Sequence, residues 1–128
     1  MQIKINNKSY NLNFGIQFIR LMNQNHHVEN NGISQGMGLN QAVASLATYD
    51  PIGLSEILQC ACWINKERPS KFDIDNYLDT KADIKALCDR ILKELENANI
   101  TKAQVKNVLK TMKEAQDRAM RMSLGQSV

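Results

Sequence analysis

Four short stretches hold the residue types that do chemistry: His26-His27, Gly36-Met37-Gly38, Cys60-Ala61-Cys62 and the acidic run DIDNYLDT from Asp73 to Thr80. Adjacent histidines point different ways on a helix, and no third ligand stands near them in sequence. A polar loop is favoured there over a metal site. Cys60 and Cys62 have the wrong spacing for a zinc knuckle or a redox pair and lie in an apolar stretch. With Cys88 they make an odd set without disulfide-framework spacing, and read as reduced, buried small hydrophobes of a cytosolic protein. The acidic run lacks two requirements of a calcium loop: Leu78 stands where Gly is needed and Ile84 where the closing Glu is needed. Its carboxylates suit a helix start instead. The glycine pair is a fragment of a phosphate loop with no preceding strand and no Lys. No nucleophile elbow, zinc-protease helix or paired buried carboxylates occur. The expectation is no catalytic, metal-binding or cofactor-binding residue, no cofactor, and a chain that is not an enzyme.

The elements that would have to position such residues are mostly helical. Ile3 and Ile5, then Tyr10, Leu12 and Phe14, alternate around Asn6-Asn7, a pair suited to a tight hairpin turn. A lone hairpin is marginal in water, so it needs a helix to cover, first of all the one that follows at once. That helix is expected over Phe14 to Gln24, followed by an Asn-, Gln- and Gly-rich loop to Gly38. Leu39, Ala42, Val43 and Leu46 resume helical spacing. Asp50 is a good N-cap and Pro51 fits the first position of the next helix, whose apolar excess through Trp63 and Ile64 marks it as the buried centre. Ser70 and Asp73 resemble a capping box with Ile74, Tyr77 and Leu78 behind them. Lys81 to Asn97 carries an amphipathic stripe. Thr101 with Gln104 makes a capping box, and Ile100 with Val105 a hydrophobic staple, for a last helix to Met122. The expected fold is α+β, predominantly α: one domain over residues 1–122, with a hairpin over 1–14 packed on about five helices, and a flexible tail over 123–128. Ile5, Tyr10, Ile57, Trp63, Ile91, Leu92 and Leu95 should be buried.

At 128 residues the chain can bury a core without staples, and 43% hydrophobic and 23% charged residues are ordinary for a globular protein. No run of ~20 apolar residues that a membrane span needs is present, and the start reads as a hairpin rather than a signal peptide. The net charge of +3 is mild, but it is unevenly placed. Seven acids face four bases between Phe72 and Asn99, while six bases face two acids from Thr101 onward. Two readings stay open. The helices pair through complementary solvated faces, or the last helix is a docking rod using Met112, Lys113, Arg118, Met120, Arg121 and Met122.

The order of pieces resembles tail assembly chaperones of long-tailed phages and prophages of Gram-positive bacteria. The resemblance rests on MQIKINNKSYNLNFGIQFIRLMNQ, GMGLNQAVASLATYDPIGLSEILQCACW, RPSKFDIDNYLD and TKAQVKNVLKTM, and covers Met1 to about Met112. It implies a non-enzymatic helper that coats and solubilises the tape measure protein. It further implies recruitment of tail tube subunits through a longer frameshifted form, and self-association. Such a protein works in the host cytoplasm and is absent from the finished virion. The rival readings are a small DNA-binding regulator using the basic last helix, or a minor tail structural protein. Against DNA stands the scarcity of Arg in that helix and the lack of a base-reading Asn or Gln cluster at its start. Nucleic acid and membrane are not expected partners.

Overall fold

In the computed structural model, which describes residues 1–126, the chain opens with β1 (Gln2–Ile5) and β2 (Lys8–Asn11). They pair antiparallel with Ile3 opposite Tyr10. Asn6 and Asn7 turn the chain with φ of 53° and 64°, the doubly left-handed geometry that matches strand twist. Ile3, Ile5, Tyr10 and Leu12 are buried as the alternation requires. The main cover is not the next helix, which the sequence suggested as the first candidate. The hairpin packs on α4 (Lys71–Thr80) and on the 3-10 turn Cys62–Ile64. The Asn65 side chain acts as a short third strand, accepting from Asn11 N at 2.9 Å and donating to Asn11 O at 2.8 Å.

The first helix, α1 (Ile16–Asn25), begins two residues later than expected, because the Asn13 side chain accepts from Gly15 N at 2.9 Å and holds the chain in a turn. The expected loop is largely a second hairpin, β3 (His27–Asn30) with β4 (Ile33–Gly36), turning at Asn31 and Gly32 with φ of 53° and 77°. This corrects the expectation of a plain loop between the first helix and Gly38, and of a single hairpin in the chain.

The remaining helices are α2 (Gly38–Ala47), α3 (Pro51–Ala61), α5 (Ile84–Asn97) and α6 (Lys102–Gln126). Asp50 caps α3 through Ile52 N at 3.0 Å, and Ser70 caps α4 through Asp73 N at 3.0 Å, as their types predict. Helix α5 starts later than Lys81, where the Asp83 side chain accepts from Ala86 N. At α6 the expected box is replaced: the buried Thr101 hydroxyl donates to Leu95 O at 2.6 Å, and Gln104 reaches Asn40 at 3.4 Å. Ile100 stands half exposed rather than stapling the helix.

One core joins both hairpin strands of β1–β2 to the helices, with Phe18, Met22, Leu39, Leu46, Leu54, Ile57, Leu58, Ile91 and Leu95 at its centre. Two expected core members are displaced. Trp63 lies on the 3-10 turn that follows the end of α3 at Ala61; it is partly buried, its indole N–H buried, and it is not a member of the central core cluster. Leu92 flanks the stripe and is partly buried. Helix α6 continues past Met122 through Gln126, so residues 123–126 are helical; residues 127–128 of the expected tail lie outside the described residues.

Candidate partner-binding surface

Helix α6 is built from two halves. Its first half packs on α2 and α5, burying Val105 and Val108 and partly burying Leu109 and Met112. From Lys113 to Gly125 every residue is exposed, Met120 at 67% and Met122 at 61%. At about 1.5 Å per residue this is a rod of about 20 Å standing clear of the core.

Of the six residues expected to form one surface, Met112 sits at the packed base of this rod and the other five lie on it, but not on one face. A helix advances ~100° per residue. Met112 and Met122, with Ala115 and Ala119 between them, continue the stripe begun by Val105 and Val108. Lys113 and Met120, seven residues apart, share a second flank. Arg121 falls nearly opposite Met112, with Arg118 beside it. A basic ridge of exposed Lys102, Lys106, Lys110 and Lys113 runs along one flank of the helix, beside the buried stripe. The rod therefore offers an apolar seam of small and flexible side chains next to cationic ones.

The other chemistry-bearing stretches have structural roles. His26 ends α1, and its Nε2 lies 2.6 Å from Glu56 Oε1. His27, which begins β3, is exposed. Gly38 N donates to Asn23 Oδ1 at 2.8 Å, and a Cβ at Gly38 would meet Met22 and the Asn23 backbone, so this glycine serves close packing on α1. Cys60, Cys62 and Cys88 are buried thiols, each pushed up to about 11 by desolvation. Among the described residues no group of His, Cys, Asp and Glu is arranged to hold a metal ion. No helix there is long and apolar enough to cross a membrane.

Sequence reasoning missed the second hairpin as a surface. All eight of its strand residues are exposed, and Val28 and Ile33 stand out at 50% and 70% exposure on one face. The available signal was Asn31-Gly32, a turn dipeptide between two short β-prone runs.

A family model described as phage tail assembly chaperone protein, TAC, matches residues 2–110. The chain belongs to the phage tail assembly chaperone family. No curated protein and no solved structure matches it. The matched span ends inside α6, just before Met112. The packed half of the helix thus belongs to the chaperone's family pattern, and the projecting half lies beyond it.

Proposed function

We propose that this chaperone acts without catalysis by binding and solubilising the tape measure protein of a long-tailed phage or prophage of Gram-positive bacteria. The contact is the projecting half of α6, with Met112 and Met122 on the seam and Lys113, Arg118, Met120 and Arg121 around it. The observation that carries this reading is the exposure of two methionines on a rod that covers no part of the chain's own core. Methionine adapts to varied apolar surfaces, which suits one small protein meeting many segments of a long partner. The flanking cations speed capture of a partner with acidic patches. Coating requires many copies, so the chain self-associates on its partner. A longer frameshifted form brings tail tube subunits to the complex. The work is done in the host cytoplasm, and the chaperone leaves before the virion is complete.

The test is co-expression with tape-measure fragments and pull-down of intact chain against a variant with Met112, Met120 and Met122 changed to Ser. Helical content of the variant should stay near normal, since these side chains are exposed or half exposed. Its capture of fragments should fall about tenfold or more, a difference of about 1.4 kcal/mol. Undiminished capture by the folded variant places the contact elsewhere.

A further inference from the structure

A cleft of about 690 Å³ lies where the start of α3 meets α4, with the end of α1 at one wall. Its lining carries the carboxylates of Asp50, Glu56, Asp75 and Asp79 against the single amine of Lys71 and the imidazole of His26. This sign opposes the chain's net charge of +3, so it is a local feature and not a general one.

Three of the carboxylates are held in place. Asp50 accepts from Ile52 N at 3.0 Å. Glu56 uses both oxygens, on Asn25 Nδ2 at 3.0 Å and His26 Nε2 at 2.6 Å. Asp75 accepts from the Ser55 hydroxyl, which itself accepts from Gln59 Nε2 at 3.1 Å. Among the described residues, Asp50, Asp75 and Asp79 form no ion pair with any Lys or Arg. Beside these charges Ile52, 82% exposed, and Pro51 make an apolar wall. An isoleucine held open at the mouth of a cleft of fixed carboxylates suits a ligand that is both apolar and cationic.

We propose that this cleft docks a cationic, amphipathic segment of a partner protein, seating a Lys or Arg among Asp50, Asp75 and Asp79 and an aliphatic side chain on Ile52. Charge complementarity selects the cation, and Ile52 selects a protein segment over a bare ion. Because Asp50 and Asp75 are already ordered by hydrogen bonds, little of their freedom is lost on binding. The site is separate from the α6 rod and does not depend on the reading given to that rod.

The test uses a fluorescent acetylated peptide of alternating Leu and Arg, followed by anisotropy at low salt with the full chain. Asp79→Lys and Ile52→Ser both alter exposed side chains and should leave the fold intact. Each should weaken binding about tenfold. A Leu and Glu peptide should not bind, and Lys113→Glu with Arg121→Glu on α6 should leave the affinity unchanged. Three outcomes overturn the proposal. One is binding unaffected by both cleft variants. Another is a Gly and Arg peptide, or calcium alone, binding as well as the Leu and Arg peptide, which would make the cleft a bare cation site. The last is binding lost only with the α6 variant.

Discussion

At the scale of single residues, close packing explains what charge does not. Gly53 on α3 faces Ser45, a buried residue of α2, and a Cβ at position 53 would collide with the Ser45 side chain. Gly53→Ala should therefore cost about 1–3 kcal/mol in denaturant unfolding. Adding Ser45→Gly should recover part of it, with a coupling of about 1 kcal/mol in the double-mutant cycle. Simple additivity would show that the two helices do not meet there. The three thiols make a second prediction. Their pKa is raised from 9.0 to about 11 in the folded chain, so folding holds these protons to higher pH than the unfolded chain does. Their contribution to stability is full below about pH 9 and fades as pH rises toward 11. Denaturant midpoints should fall across that window, and thiol labelling near neutral pH should track unfolding. Fast labelling of the native chain would contradict the burial. Residue types alone marked Asp50 and Ser70 as caps correctly, since a cap needs only its own side chain and a nearby N–H. They placed Trp63 in the core, whereas it is partly buried on a 3-10 turn that no local pattern announces.

At the scale of elements, legibility followed burial. The first hairpin and the helix stripes could be read because one face of each meets the core and the apolar spacing records it. The second hairpin has no buried face, so its strands carry no alternation, and Asn31-Gly32 was its one legible mark. The same fact predicts its energetics. At Gly32, with φ of 77°, a Cβ would find nothing within 4 Å, so Gly32→Ala adds backbone strain alone, about 1 kcal/mol. That strain should show as faster amide exchange over residues 27–36 with little change in melting temperature. Phe18→Ala, in the core, should cost about 3–5 kcal/mol. A comparable loss of melting temperature for both variants would mean the hairpin is integral to the fold. The candidate site was legible in its residues but not in its arrangement. Sequence placed Met112, Lys113, Arg118, Met120, Arg121 and Met122 together, whereas helix geometry spreads them around the rod.

At the scale of the whole molecule, the family span and the bundle nearly coincide, and what projects beyond both is the outer half of α6. A small bundle with an ordered core and an exposed cationic, methionine-bearing rod needs no reactive group to work as an assembly helper. The rod is exposed along its length and packs on no buried cluster, so its amides should exchange faster than those of α5 until a partner covers them. Amide hydrogen exchange on the chain, with and without a tape-measure fragment, therefore reads the contact where it is proposed to form. Slowed exchange concentrated over residues 112–125 is expected on addition of the fragment. Slowed exchange over residues 27–36 or 50–79, with 112–125 unchanged, would contradict the proposed contact.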